Sequence, residues 1–392
     1  MFVREKPGVF DLNEDEQQIV SMIASFVDHE VRPVASGLEH RDAYPEALID
    51  QMKELGVFGL AIPEPFGWGT VSTACYAAVT EELARGWMSL AGAFGGHSVV
   101  SKLIVAFGTD QQKDRYLSRM ATGELRATMA LTEPEGGSDL QAMRTVARRD
   151  GDDFVVDGEK MWITNAERAG LIALLCKTDP ASDPPSRGMS ILLVEKGPGL
   201  EVGPPLSKLG YKGVETCALT LTGYRAHRDA LLGAVEGVGF HQVMKGLEVG
   251  RIQVAARATG VARAALDDAT RYAQEREAFG RPIWRHQSVG NLLADMVTKL
   301  SAARLLVGHA AQRYDAGERA DMEAGMAKLF ASEVAMEIAL DAMRIHGGYG
   351  YSTDFDVERY FRDAPLMILG EGTNEIQRNV IARQLIGREQ IQ

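Results

Sequence analysis

The amino-acid sequence predicts a mainly α protein with a β-domain in its middle. Three observations carry that expectation. Apolar residues recur at helical spacing up to about Gly123 and again from about residue 236 onward. Between them the pattern switches to short runs of strand formers separated by Gly, Pro and Asp. The chain's 392 residues also exceed what one ordinary core organises, so several domains are expected. The expected division is an N-terminal helical domain (1–123), a middle β-domain (124–235) and a C-terminal helical-bundle domain (236–392).

Asn13 opens the first helix in a capping-box-like N-E-D-E, with Ile19, Val20, Ile23, Phe26 and Val27 following on one face. Pro33 is expected to stop it. Pro45 suits the first turn of the next helix, which should end near Gly56. Thr109 and Gln112 open another that runs to Gly123. In the middle zone, RTVARRDGDDFVVDGEKMWIT reads as two strands around an Asp-Gly turn. LIALLCKT, SILLVEKG and LTLTGYRAH add further strands, TDPASDPPSRG is a loop, and the set suggests a small barrel or sandwich. Three long helical patterns follow, from about Gly246 to Glu277, Trp284 to Ala316 and Asp321 to His346, the last stopped by Gly347-Gly348. Long helices with short connections favour a four-helix bundle.

Composition is globular, at 45% hydrophobic and 24% charged. A net charge of −12 argues against nucleic acid as a partner, although local arginines can still hold an anionic ligand. Cys75, Cys176 and Cys217 match no zinc or redox spacing and read as reduced, buried thiols. The N-terminal stretch MFVREKPGVFDLNEDEQQ has no secretory apolar region, so a bacterial cytoplasmic location is expected. No apolar run approaches about 20 residues, so no membrane span is expected. There is no G-x-G-x-x-G after a strand, no Walker loop, no H-E-x-x-H and no G-x-S-x-G, and the histidines show no metal spacing.

Several passages could carry chemistry. LGEGTNEIQR, Leu369 to Arg378, sets a lone carboxylate, Glu371, between two glycines just before a helix that Thr373 or Asn374 could cap. MALTEPEGGSD presents Thr132, Gly136, Gly137 and Ser138 where the β zone begins. KMWITNA offers Trp162 and Thr164, and EREAFGRPIWRHQ places Arg276, Phe279, Arg281 and Gln287 between two helices. Singly, these read as ordinary turns, a core tryptophan and surface arginines.

In order in one chain, and joined by HGGYGY, they closely resemble the acyl-CoA dehydrogenase family of flavoproteins, and the resemblance spans essentially the whole chain. It implies a fold of helical, β and four-helix domains, a homotetramer, and FAD lying between the β-domain and the C-terminal domain. Leu131, Thr132, Gly137, Ser138, Trp162 and Thr164 would contact the cofactor, with Ser138 also near CoA. Arg276, Phe279, Gln287, Arg344 and Gly348 would reach FAD across a dimer interface, and Thr373 and Glu375 would complete the cradle. Met129 and Arg344 depart from common members, which often carry an aromatic residue and Gln there.

Glu371 matches the catalytic base of most members. A minority place the base on a C-terminal-domain helix, where this chain has Gly250. Arg251 is expected to position the acyl end or the base's loop. Gly370 stands where straight-chain enzymes commonly carry tyrosine, so a branched, cyclic or otherwise bulky acyl group is expected. The implied reaction is α,β-dehydrogenation of an acyl-CoA to the trans-2-enoyl-CoA, with electron-transfer flavoprotein as electron acceptor. Acyl-CoA oxidase, nitroalkane oxidase, an acyl-carrier-protein-linked dehydrogenase and a non-catalytic scaffold stay open.

Overall fold

A computed structural model describes residues 9–389. The chain starts with helices α1 (Glu14–Phe26), α2 (Arg32–His40), α3 (Glu46–Glu54), α4 (Thr73–Gly86), α5 (Met88–Phe107) and α6 (Asp110–Ala121). Asn13 and Glu16 form the expected reciprocal cap on α1, and Thr109 and Gln112 form one on α6. Pro33 does not end the first helix. A π-turn, Val27–Val31, carries the helical path onward, and its wider winding accommodates Pro33, which has no N–H to donate, at the start of α2.

The absence of a long apolar run is also corrected. α5 is 20 residues long with a mean hydropathy of 1.4 over its best window, which is enough to cross a membrane by length and composition. That window is 72% buried within the protein, so the apolar character serves the core.

The middle of the chain forms β1 (Ala127–Ala130), β2 (Val146–Asp150), β3 (Asp153–Thr164), β4 (Leu171–Lys177), β5 (Met189–Glu195), β6 (Leu200–Val202) and β7 (Thr216–His227). They make one seven-stranded sheet in the order β1-β4-β2-β3-β7-β6, with β5 antiparallel to β4. The β2–β3 hairpin turns at Gly151, where φ is +65°.

The chain then returns to helices α7 (Gly239–Glu275), α8 (Gln287–Asp315), α9 (Asp321–His346), α10 (Val357–Leu369) and α11 (Asn374–Glu389). α7 starts earlier than its apolar period indicated because its first turns pack on the sheet. Val243 joins the core that also holds Leu103, Leu171 and Ile191. Gly347, at φ +62°, ends α9 as expected.

The two helical zones are not separate cores. Tyr76, Trp87 and Phe94 from the first zone share one cluster with Ile252, Val261 and Ile338 from the third. α4 and α7 approach closely at Gly260, where a Cβ would lie 2.3 Å from the Glu81 carbonyl oxygen. Glu81 is fully buried there and accepts from Thr259 at 2.9 Å, Arg304 at 3.0 Å and Arg263 at 3.1 Å, which hold its carboxyl below the usual range against its own burial. Helices α4, α5 and α7 pack against one another at this junction.

Candidate active site

α10 ends at Gly370, and the chain turns sharply before α11. Glu371 takes φ +54° and Gly372 φ +83°. A left-handed glutamate costs about 1–2 kcal/mol, so the surroundings must hold it. They do so from beneath. The Lys328 ammonium, with its side chain fully buried, donates to the carbonyls of Ile368 (3.0 Å) and Gly372 (2.9 Å) and to Asn374 Oδ1 (2.8 Å). Gln377 Nε2 donates to the carbonyls of Glu371 (3.2 Å) and Gly372 (3.0 Å). Thr373 Oγ1 caps α11 by accepting from the Ile376 N–H at 3.4 Å.

The Glu371 carboxylate presses on α7. A Cβ on Gly250 would lie 3.0 Å from its Oε2, so glycine is what lets the acid reach this position. The side chain is accessible to solvent, yet many protein atoms lie around it. Together these mean that it faces a recess rather than bulk water. Burial pushes its carboxyl above the usual range, while Arg257, Arg251 and Lys328 pull it back. Among the described residues no side chain forms an ion pair with it, so these cations act at longer range. Its backbone N–H donates to no described residue, and the positive φ leaves that donor free for a ligand.

A second group of expected residues forms a platform on the sheet. Leu131 and Thr132 follow β1, and their carbonyls accept from Lys160 Nζ at 3.0 Å and the Met161 N–H at 2.9 Å. Glu133 anchors the loop by pairing with Lys160 at 3.0 Å and accepting from the Arg144 and Thr145 N–H groups. That leaves Gly137 and Ser138 exposed at its tip. A Cβ on Gly137 would come within 3.2 Å of the Thr132 side chain, so the tip is built for a backbone without one.

Trp162 is not a core residue. The β3–β7 register slips between Lys160 and Ile163, Trp162 adopts φ +64°, and its ring is 57% exposed. Thr164 follows it on the same strand. An exposed indole beside hydroxyls and a glycine tip suits a flat aromatic group with polar substituents, which is the chemistry of a flavin.

Arg276, Phe279, Gln287, Arg344 and Gly348 lie elsewhere. Arg276 and Gly348 line a recess of about 560 Å³ with Tyr272, His346 and Tyr349. Phe279 is 96% exposed, and Gln287 begins α8 on the surface. Arg344 is exposed and pairs with Asp341 at 2.6 Å. Lys328, under the base, and Arg344 are both on α9, about 24 Å apart at 1.5 Å per residue. The chain therefore presents two separate patches. Glu375 points outward from α11 near Arg378, at 3.9 Å.

Three residues around the recess escaped sequence reasoning. Lys328 interrupts the apolar face of α9, Arg257 sits in the alanine-rich run VAARATGVA, and Tyr76 lies on α4. A charge inside an otherwise small-residue helix face was the available signal for the first two. Arg251, which the sequence did mark, is buried beside Glu371, and burial lowers its guanidinium's proton affinity.

Comparison with known proteins accords with this geometry. Models of the acyl-CoA dehydrogenase N-terminal, middle and C-terminal domains match residues 13–124, 128–224 and 237–386. The chain is 41% identical over 390 residues to (2S)-methylsuccinyl-CoA dehydrogenase of Cereibacter sphaeroides, covering 97% of this chain and 71% of that one. It superposes with a TM-score of 0.93 on a chain of the Acidaminococcus fermentans electron transferring flavoprotein structure, at 38% identity, covering 96% of this chain and 99% of that one. Butyryl-CoA dehydrogenase from Megasphaera elsdenii gives a TM-score of 0.92 at 33% identity, over 96% of this chain and 99% of that one. A glutamate held at positive φ over a helix glycine, an exposed indole on the sheet and three domain matches lead to one conclusion: the chain belongs to the acyl-CoA dehydrogenase family of FAD-dependent oxidoreductases acting on CH–CH bonds.

Proposed function

We propose that this enzyme oxidises an acyl-CoA thioester to its trans-2-enoyl-CoA, with Glu371 removing the α-proton. The carrying observation is the Glu371 carboxylate itself, at positive φ, with its loop pinned from below by Lys328 and its carboxylate set against Gly250 of α7. An exposed glutamate with a pKa of about 4.3 is too weak a base for a thioester α-carbon. Desolvation by an acyl chain strengthens it further than the burial it already has. The free Glu371 N–H can donate a hydrogen bond to the thioester carbonyl oxygen as negative charge develops there. Bound FAD supplies the acceptor for the β-hydride. Leu131, Thr132, Gly137, Ser138, Trp162 and Thr164 would hold its ring end.

The second patch, with Arg276, Phe279, Gln287, Arg344 and Gly348, then serves a cofactor in a neighbouring copy. The almost wholly exposed Phe279 ring supports that reading, as does a homotetramer that would cover it. Electron-transfer flavoprotein is the proposed oxidant of the reduced enzyme, supported by the likeness to a chain from an electron transferring flavoprotein structure. A bulky or branched acyl group is supported by Gly370, whose missing side chain leaves only the Leu366 carbonyl within contact range. The name of the Cereibacter relative's substrate, a methyl-branched acyl thioester, points the same way.

Anaerobic titration of the purified holoenzyme with a panel of straight and branched acyl-CoAs is expected to bleach the flavin absorption, with electron-transfer flavoprotein restoring it faster than air does. No bleaching by any acyl thioester would remove the proposal. Rapid peroxide formation in air would replace electron-transfer flavoprotein by dioxygen. Trp162→Ala is expected to weaken FAD retention about tenfold, from the roughly 1–1.5 kcal/mol of one lost ring contact. Equilibrium dialysis measures this, and unchanged retention would show that the indole faces something else.

A further inference from the structure

Two arginines of α7 are buried beside the base, and the Glu371 carboxylate acts on them only at longer range, with no close ion pair to either. Arg251 and Arg257 are 7% and 8% exposed, and the Nε of each lacks a hydrogen-bond partner. Among the described residues neither forms an ion pair. Burying an unpaired guanidinium is strongly unfavourable, so such a group persists where it meets an anion.

The geometry of α7 says where that anion would sit. Gly250 faces the Glu371 carboxylate. Arg257 is seven residues on, two turns along the same face, and helical side chains lean back toward the N-terminus. Its side chain therefore leans back along α7 toward Gly250, and its guanidinium lies by Tyr211, with Cζ 5.8 Å from that ring's centre. From α4, Tyr76 is 1% exposed with its hydroxyl unpartnered, and it lies within electrostatic reach of both Arg257 and Glu371. α5 closes the space, its Phe94 ring 5.1 Å from that of Tyr76.

The other charged groups do not neutralise this end. Lys328 is committed to the base's loop, and Lys102 adds a further cation 5.2 Å from the centre of the Tyr76 ring. Glu248, the nearest acid on α7, pairs with Lys245 at 3.4 Å. An acyl chain with a neutral methyl end would leave Arg257 and the Tyr76 hydroxyl facing hydrocarbon.

We propose that Arg257, assisted by the Tyr76 hydroxyl, binds a carboxylate on the far end of the acyl group. The substrate is then the CoA monothioester of a short dicarboxylic acid. Two helical turns separate the base from Arg257, about 11 Å along the axis. An arginine side chain leaning back spans roughly half of that, which suits a diacid of roughly four to six carbons. This rests on the acyl-CoA reading of the site and deepens it. Arg257 is a specificity residue, and its pairing with substrate would also withdraw one of the cations that weaken Glu371 as a base.

The test is flavin reduction of the holoenzyme by methylsuccinyl-, glutaryl- and adipyl-CoA against butyryl-, isobutyryl- and hexanoyl-CoA, in wild type, Arg257→Gln, Arg257→Lys and Tyr76→Phe. Wild type is expected to favour at least one dicarboxylic ester. Arg257→Gln should lower the ratio of that ester's kcat/KM to the best neutral ester's about 10²-fold, chiefly through KM. Arg257→Lys should restore part of the ratio, and Tyr76→Phe should lower it less. Equal flavin content and far-UV circular dichroism across the variants confirm folding. If neutral esters outpace every dicarboxylic one in wild type, or the ratio is unchanged in Arg257→Gln, the inference is overturned while the dehydrogenase reading stands. If no ester of either kind reduces the flavin, both are overturned.

Discussion

Glu371→Gln should lower the rate of flavin reduction by acyl-CoA about 10⁴-fold, the upper range for removal of one general base. The amide has the carboxylate's shape, so the strained turn, the contact with Gly250 and the hydrogen bonds from Lys328 and Gln377 should all survive. What disappears is the basic carboxylate that takes the proton, because an amide oxygen is far too weak a base. Binding of the acyl-CoA, read from the perturbation of the flavin spectrum, should stay within a few-fold of wild type. Glu371→Asp keeps the base but withdraws it by one methylene, and about 10²-fold is expected from misplacement alone. A Glu371→Gln enzyme reduced within tenfold of the wild-type rate would mean that another group removes the proton. The pH profile gives a second check. The base acts ionised and burial raises its pKa, so kcat/KM should fall on the acid side around a midpoint above the ordinary glutamate value.

Lys328→Met should reduce kcat about 10²-fold without contacting substrate, because it releases the loop that aims the base. The ammonium ties the end of α10, the carbonyl of Gly372 and the side chain of Asn374 to α9. Methionine fills the same volume but donates nothing, and the left-handed Glu371 has then only Gln377 to hold it. The substitution also removes one of three cations that lower the base's pKa. Glu371 should then protonate more readily, and the acid limb of kcat/KM should move to higher pH. A purely structural lysine would shift stability and leave that limb where it was.

Stability should change in a defined direction as well. Burial holds the Lys328 ammonium down at about 8, below its ordinary 10.5, so between these pH values the unfolded chain binds the proton and the folded one does not. Wild-type stability gains from this lysine as pH rises from about 8 to 10.5, and its penalty is complete below 8. Lys328→Met should lack that rise in chemical denaturation. An identical pH dependence in both proteins would show that the lysine is not buried as described.

Much of the site was legible because its signals are local. Two glycines around Glu371 announce a backbone that needs unusual angles, and Thr373 announces a helix start. The capping boxes at Asn13 and Thr109 likewise depend on residues three apart. Local rules failed where distant packing decided the matter. Pro33 reads as a stop, yet a π-turn before it lets the helical path continue. Trp162 reads as core, yet a slipped register against β7 turns it outward. α5 has the length and hydropathy of a membrane helix, yet α4, α7 and the sheet bury it.

By itself the sequence determined the order of helical and β zones, the carboxylate to watch and the family to which the chain is similar, because periodicity, caps and motif order need no partner in space. Only the tertiary structure decided what surrounds that carboxylate. Gly250, Arg257, Tyr76 and Lys328 come from three helices whose separation along the chain reaches about 250 residues, and nothing in their local sequence states that they converge. A charge's effect falls with distance and dielectric, both of which are set by packing. The strength of the base and the sign of the pocket were therefore properties of the fold.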